Sequence, residues 1–524
     1  MSRFEPIAIV GEGCVLPGAS SPDALWDIVA QKRIVTQRVS PARLGLADRG
    51  AANPAWVSGL VDEAPNKEDQ ALDPVCRWPL RAVRDAWRSV ATDHIAPARR
   101  AVILANLLYP SRAKAAYAAD IWRDGRTDRP LTDTLNSAYP ARLIAEAIGA
   151  TGPVLALDAA CASSLYALEI ACRKLAAHQI DIAAVAAVNA ADNLILHIGF
   201  SALKALSPTG RSRPFIDGAD GLVPSEGAAA VILKRLSDVK KGEIVHGVIR
   251  GIGLSNDGRR KGLLAPDATG QAEAMRRAYA DSGVDPDTVH FLECHATGTP
   301  VGDGVEVASS ASIFGARRLP AGSLKANTGH LITVAGLASV LKLTAALRHE
   351  TLPAMPLDGK LLPSLGGDTL TPLSEPEPWA RGKAPRRAAI SNFGFGGNNS
   401  HLILEQHEPR TRAVRGASLP TPPAADEIVI CGIGLLAGPD RGERAVLRRL
   451  MNAPLQSAAE TAEVGADPIR ARTPPADLLR AEPQQLAIFD VATMALEGIA
   501  RPAPEACGVF TGVACANDSA RWLL

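Results

Sequence analysis

A chain of 524 residues that is 47% hydrophobic and 21% charged can bury a large core, and its length suits about three domains or fewer large ones. Its 56 basic and 55 acidic side chains leave a formal charge of +1, which offers no electrostatic hold on nucleic acid or an anionic membrane. No apolar run reaches the roughly 20 residues that span a bilayer, and the start MSRFEPIAIVGEG has no apolar signal core, so a cytoplasmic protein is expected.

Short β-type runs alternate with helical stretches along the chain. PIAIVG (6–11) reads as a strand, SPDALWDIVAQ (21–31) as a helix, and AVILAN (101–106) and PVLALDAA (153–160) as strands. SSLYALEIACRKLAAHQ (163–179) then sets Leu165, Leu168, Ala171, Cys172 and Leu175 on one helical stripe, with Ser163 or Ser164 as its cap. DIAAVAAV (181–188), GAAAVILKRL (227–236) and IVHGVIRGIGL (244–254) follow as strands. Near-continuous apolar strands separated by helices imply an α/β fold with the sheet buried on both faces. Residues 408–426 are rich in Pro, Ala and Arg without apolar periodicity and read as a linker. Beyond it, EIVICGIGLLAG (427–438) repeats the pattern of PIAIVGEGCVLPG (6–18). EPQQLAIFDVATMALEGIA (482–500) parallels DPVCRWPLRAVRDAWRSVA (73–91), and GVFTG (508–512) parallels AVILA (101–105). The order is kept over a long span, which indicates a domain duplication and not a solenoid period.

The eight cysteines, at 14, 76, 161, 172, 294, 431, 507 and 515, include no C-x-x-C pair, so neither disulfides nor zinc are expected and most should be small buried residues. Cys161 stands apart. It sits in DAACASS, where a strand meets a helix, and only small residues surround it. A helix start favours a thiolate, small neighbours admit a long thioester, and the N–H groups of the turn can face a carbonyl oxygen. The turn alone is equally compatible with a small packed residue. Two histidines lie in loops of unusual composition: His295 in HFLECHATGTPVGDGVE (290–306) and His330 in SLKANTGHLITVAGLASVLK (323–342). Either could be structural. ISNFGFGGNNSHLILE (390–405) places three glycines around Phe393 and Phe395, in a loop that could approach a ligand, hold phosphate or simply turn.

Taken in order, these four segments and the opening PIAIVGEGCVLPGASSPDALW make residues 1 to about 406 resemble the β-ketoacyl synthase (ketosynthase) domains of the thiolase superfamily. DAACASS resembles the nucleophile turn, CHATGTPVGD the first-histidine loop, KANTGHL the lysine and second-histidine motif, and NFGFGGNNSHLILE the closing glycine loop. The resemblance implies an α/β thiolase fold, with duplicated βαβαβαββ halves in a layered αβαβα arrangement. The halves would be 1–250 and 251–407. It also implies roles. Cys161 would be the acyl-accepting nucleophile, with His295 and His330 completing a Cys-His-His set and Lys325 supporting it. Thr297 and Thr299 would bind pantetheine, Phe395 would be the gate, and the amides of Cys161 and Phe395 would form an oxyanion hole. Glu306 would be a supporting acidic residue behind the site. The implied reaction is decarboxylative Claisen condensation of a Cys-bound acyl chain with a malonyl unit. No metal and no intrinsic cofactor is implied, since the 4'-phosphopantetheine arrives on an acyl carrier protein partner.

The run Ala162-Ser163-Ser164 and the segment 189–227 depart from the usual modular polyketide synthase form and look closer to ketosynthases of polyunsaturated-fatty-acid, enediyne and related secondary-lipid synthases. No acyltransferase G-x-S-x-G follows. Residues 427–524 instead resemble the start of a second ketosynthase-like, chain-length-factor-like domain that ends before any counterpart of Cys161. Such a copy implies a homodimer or a pseudo-dimer. The alternatives are a thiolase-fold acyltransferase without condensation, or a non-catalytic chain-length-factor or scaffold fragment.

Overall fold

In a computed structural model of the chain, the described residues are 4–44, 56–62, 72–107, most of 109–117, 138–258, 265–315, 317–365, 370–382, 384–408, 428–452, 474–479, 483–500 and 507–512, with isolated positions between. The linker expected at 408–426 lies outside them except for its first residue. The chain divides into two units, Met1–Ala413 and Val414–Leu524.

The first unit is built on one 11-stranded mixed sheet. In chain order its strands are β1 (Ile7–Val15), β2 (Arg100–Asn106), β3 (Val154–Leu157), β4 (Ile182–Asn189), β5 (Gly227–Arg235), β6 (Gly247–Asn256), β7 (Phe291–Glu293), β8 (Leu319–Gly322), β9 (Leu370–Pro372), β10 (Arg387–Phe393) and β11 (Asn398–Glu405). Their spatial order is β9-β8-β7-β10-β11-β6-β1-β5-β4-β2-β3. The two sides of the central β1–β6 pair repeat one pattern. β1 pairs antiparallel with β5, β5 antiparallel with β4, and β4 and β2 run parallel towards β3. β6 likewise pairs antiparallel with β11 and β11 with β10, while β10, β7 and β8 run parallel. This is the duplicated half expected from the sequence, joined into a continuous sheet by three residue pairs such as Ile7↔Ile249. The boundary drawn at residue 250 falls inside β6.

Period-2 alternation sorts the side chains into layers. Ile7, Ile9, Ile103 and Val185 face one cluster, whereas Ala8, Val10, Leu104 and Ala184 face another. The second cluster is covered by helices α2 (Pro74–Trp87) and α3 (Tyr139–Ala147). On the other half, Leu292, Ala389 and Ile403 pack under α6 (Ala268–Ser282) and α7 (Gly302–Phe314). Between the halves lie α4 (Ser163–Ala176) and α8 (Ala335–Arg348), whose side chains share one cluster with the inner faces of both. In α8 every residue but Arg348 is buried, so this helix is enclosed on all sides in the centre of a layered core. The five layers are therefore helix, sheet, helix, sheet, helix. Helix α1 (Pro22–Ala30) is capped by Ser21 and begins on Pro22, and α5 (Asn193–Ala202) is capped by Asp192.

The expected strands and helices form with ends moved by a few residues. The strand expected over 153–160 stops at Leu157, because the Asp158 carboxylate accepts the Ala160 N–H and turns the chain. Neither Ser163 nor Ser164 caps α4. The Ser163 hydroxyl is used on the preceding turn and the Ser164 hydroxyl accepts the Leu337 N–H of α8.

In the second unit, residues 428–435 run without strand pairing among the described residues, followed by a two-residue ladder and helices α9 (Glu443–Asn452) and α10 (Pro483–Ala495). A Cβ on Gly432 or Gly434 would overlap the carbonyls of Ala495 and Val491 in α10. Gly11 and Gly13 of β1 meet Ala86 and Ala82 of α2 in the same way. Among the described residues no helix is long and apolar enough to cross a membrane.

Candidate active site

Cys161 sits in the single 3-10 turn Ala160–Ala162 between β3 and α4. Ala160 holds φ +52°, a left-handed conformation that costs a non-glycine residue roughly 1–3 kcal/mol and persists only when its surroundings fix it. They do so here. Ser163 Oγ accepts the Ala159 N–H at 2.8 Å and donates to the Ala160 carbonyl at 2.6 Å. From β10, Asn392 Nδ2 donates to the Cys161 carbonyl at 3.0 Å. Gly394 passes so close that a Cβ there would lie 2.7 Å from the Ala159 carbonyl and 3.2 Å from the Cys161 nitrogen. The backbone N–H groups of Phe395 and Cys161 both act to lower the pKa of the thiol, as amide donors near a sulfur do. Burial nevertheless dominates and pushes the thiol up to about 12, against the lowering effect of those amides and of Lys325. The resting side chain is thus a thiol.

His330 and His295 reach the sulfur from the other half of the fold. His330 follows the single helical turn Lys325–Thr328 after β8, where Gly329 at φ +75° allows the reversal, and its Nε2 lies 3.0 Å from Cys161 Sγ. The Ile332 N–H points at His330 Nδ1, at 3.4 Å. Since an amide can only donate, neutral His330 carries its proton on Nε2, facing the sulfur. His295 follows β7, with its ring 5.3 Å from that of His330 and 5.8 Å from Phe393. Its Nδ1 is buried with no hydrogen-bond partner among the described residues. Burial first, then the Lys325 cation, holds both imidazoles well below their ordinary range, so both are neutral at physiological pH.

Acidic residues support this loop from beneath. Glu306 accepts the N–H groups of His295 and Ala296, each at 2.7 Å. Asp303, one turn earlier on α7 and not foreseen from sequence, accepts those of Thr297, Gly298 and Phe215. Burial raises Asp303 to about 6 and Glu306 to about 7, partly offset by these amides. The signal for Asp303 was present in GDGVE, two carboxylates three residues apart at a helix start. Lys325 is buried, its Nζ is 3.5 Å from the Cys294 carbonyl, and burial lowers its pKa against the pull of Glu293 and Glu306.

A cavity of about 340 Å³ opens over the cysteine, lined by Cys161, His295, His330, Thr297, Thr299 and Phe395, with Val301 exposed at its rim. The two threonine hydroxyls lie 3.2 Å apart. The Phe395 ring is 6.0 Å from Phe200 of α5, and both belong to an apolar cluster with Cys161, Leu196, Leu222 and Ile332. The structure thus brings together all eight residues singled out in the sequence. The cysteine sulfur and one nitrogen of each histidine lie within 4.8 Å of one another, close enough to grip a metal ion. The second nitrogen of His330 argues against that use, because a metal-bound imidazole normally donates its far N–H, and here that nitrogen accepts one.

A five-layered duplicated α/β fold with a buried cysteine, two neutral histidines and a pair of amide donors defines a thiolase-fold acyltransferase. Comparison with known proteins narrows this. Residues 4–239 match the family model "Beta-ketoacyl synthase, N-terminal domain" and residues 246–356 match "Beta-ketoacyl synthase, C-terminal domain". The chain belongs to the β-ketoacyl synthase family. Among its relatives, a phenolphthiocerol/phthiocerol polyketide synthase of Mycobacterium tuberculosis is 33% identical over 470 residues, which cover 82% of this chain and 24% of that protein. The 5-methyl-1-naphthoate synthase of Streptomyces sahachiroi is 32% identical over 432 residues, 78% of this chain and 24% of that one. The chain therefore spans about a quarter of the length of these curated relatives. Among solved structures, the ketosynthase from module 6 of the bacillaene synthase of Bacillus subtilis 168 has a TM-score of 0.68 at 27% identity, covering 77% of this chain and 73% of that one. A structure described as PfaC keto synthase–chain length factor also has a TM-score of 0.68, at 32% identity, covering 77% of this chain and 48% of that one.

Proposed function

We propose that residues 1–407 catalyse decarboxylative condensation on acyl carrier protein substrates, as the ketosynthase of a larger synthase. The observation that carries this is the meeting of Cys161, His295 and His330 within 4.8 Å in a cavity lined by Thr297 and Thr299. Cys161 attacks the acyl thioester of a loaded carrier. The new C–S bond forms as the carrier thiol leaves with the proton, and the tetrahedral oxyanion sits against the amides of Cys161 and Phe395. A malonyl thioester then enters. Its bond to the carboxylate breaks, CO₂ departs, and the electron pair moves into an enolate whose oxygen the imidazole N–H groups stabilise. The enolate carbon attacks the Cys161 thioester and expels the thiolate as the β-ketoacyl carrier forms. Phosphopantetheine comes with the carrier, and the Thr297 and Thr299 hydroxyls are the groups on this chain suited to hold it. The chain itself needs no cofactor. Residues 427–524 read as the opening of a second, chain-length-factor-like domain, supported by the repeated glycine contacts at Gly432 and Gly434. Such a domain would supply a pseudo-dimer partner, whereas without it a homodimer would form.

The test is mass-detected loading from an acyl carrier, followed by addition of malonyl carrier. Cys161→Ala should abolish loading, and His295→Ala or His330→Ala should abolish extension. Loading without malonyl decarboxylation would make the chain a simple acyltransferase, and a cysteine that never acylates would make it a scaffold.

A further inference from the structure

Between the strand that leads to His295 and the helix that follows His330 lies an ion pair with no contact with solvent. Glu293 ends β7 and Lys342 lies in the middle of α8. Both side chains are 0% exposed, and Lys342 Nζ is 2.5 Å from Glu293 Oε2. The other carboxylate oxygen of Glu293 accepts the Leu324 N–H at 2.6 Å and the Ser339 hydroxyl at 3.5 Å. One carboxylate therefore ties together three segments: the strand that leads to His295 two residues on, the turn that begins with Leu324 and carries Lys325 and His330, and the helix that follows His330. Lys342 also lies 5.6 Å over the Phe291 ring. Gly322 at the end of β8 keeps the space open, since a Cβ there would come within 3.4 Å of Lys342 Nζ. A second tie, from Ser323 Oγ to the Ala296 carbonyl at 2.9 Å, joins the same two loops.

A buried ion pair adds little stability over an apolar pair of equal volume, because desolvation cancels most of the attraction. What it does add is fixed geometry, and breaking it leaves one buried charge without a partner. We propose that Glu293 and Lys342 are positioning residues for condensation: their ion pair sets the spacing of the His295 and His330 loops and keeps the carboxylate charge balanced beside the imidazoles. The inference rests on the condensation reading above. It assigns the pair no contact with substrate. Lys325, from the turn after β8, acts on both histidines, and His330 acts on His295; the other charged and titratable groups on the elements packed around them are Cys161 on the β3–α4 turn, Glu293 and Cys294 on β7, Asp303 and Glu306 on α7, and Lys342 on α8. Glu293 and Glu306 are the carboxylates that already raise Lys325 against its burial. Without Lys342, the Glu293 charge would also favour protonated histidines and move the acid limb of condensation to higher pH.

The test compares the full chain with Lys342→Met and with Glu293→Gln/Lys342→Met, whose Gln oxygen can still accept the Leu324 N–H and which buries no net charge. Loading of Cys161 and malonyl-dependent extension are measured separately against pH. Lys342→Met should load within a few-fold of the parent, extend roughly 100-fold more slowly, as misplaced catalytic groups do, and show the raised acid limb. The double variant should restore the pH profile while still extending about tenfold slower. Parental extension rates in both variants would overturn the proposal. So would loading and extension falling together in the charge-neutral double variant, which would make the pair merely structural. If the parent itself failed to extend, it is the condensation reading that would fall.

Discussion

Burial holds Cys161 as a thiol, while a His330 N–H faces its sulfur and the Phe395 and Cys161 amides act to lower its pKa. The histidines follow the opposite rule. Burial and Lys325 depress them, so each stays neutral as pH falls through 6.5, where a solvated imidazole would take a proton. Any inflection in malonyl decarboxylation by the Cys161→Ala protein between pH 6 and 7.5 should therefore come from Asp303 and Glu306, which burial raises into that range, and should change when Glu306→Gln is added. An inflection at the ordinary imidazole value that survives Glu306→Gln would mean that the histidines are solvated. Gly394 tests the nucleophile turn directly. A methyl group there presses on the Ala159 carbonyl and the Cys161 nitrogen, atoms that the strained Ala160 conformation leaves no room to shift. Gly394→Ala should slow loading about 10- to 100-fold without unfolding the chain, as measured by acylation rate alongside circular dichroism.

At the scale of elements, the site forms where the two halves of the sheet meet across α4 and α8. At Gly336 these helices approach closely. A Cβ on it would lie 2.6 Å from Ser164 Oγ and 2.8 Å from Leu165 Cγ, and neither can retreat inside a fully buried layer. Gly336→Ala should cost about 1–3 kcal/mol, read as a lower denaturant midpoint at unchanged slope. Each motif residue was legible in the sequence because its signal is local: a cysteine among small residues, histidines beside Thr/Gly loops, glycines around Phe395. The strands were legible from their apolar runs, and their ends moved only where a side chain such as Asp158 redirected the backbone. What escaped was long-range. Glu293 and Lys342 stand 49 positions apart, and only the lone lysine within an otherwise apolar GLASVLKLTAAL hinted that something buried must balance it. Asn392 could not be tied to Cys161 because the contact spans 231 positions, from β10 to the nucleophile turn.

At the scale of the whole molecule, the two units open in the same way and then differ. In the first, Gly11 and Gly13 let β1 press against α2, and β1 is then paired on both edges, by β5 and β6. In the second, Gly432 and Gly434 let residues 428–435 press against α10, yet among the described residues no strand pairs with either edge. The consequence is visible in the side chains. Ile7 and Ile9 are fully buried, whereas Ile428, Val429 and Ile430 are 96%, 71% and 83% exposed. Backbone amides without partners exchange with solvent whether or not the rest of the chain is folded, while those inside a paired ladder exchange only through larger openings. Amide exchange on the full chain should therefore separate the two repeats sharply. The amides of Ile7–Val15 should be protected to nearly the global stability of their unit, and those of 428–435 should exchange orders of magnitude faster. Equal protection would mean that 428–435 is paired in solution, and the second repeat would then have to be read as a folded half-sheet like the first. An exposed apolar strand of this kind is also a template for self-pairing, so the exchange gap should narrow as protein concentration rises if two chains pair through it.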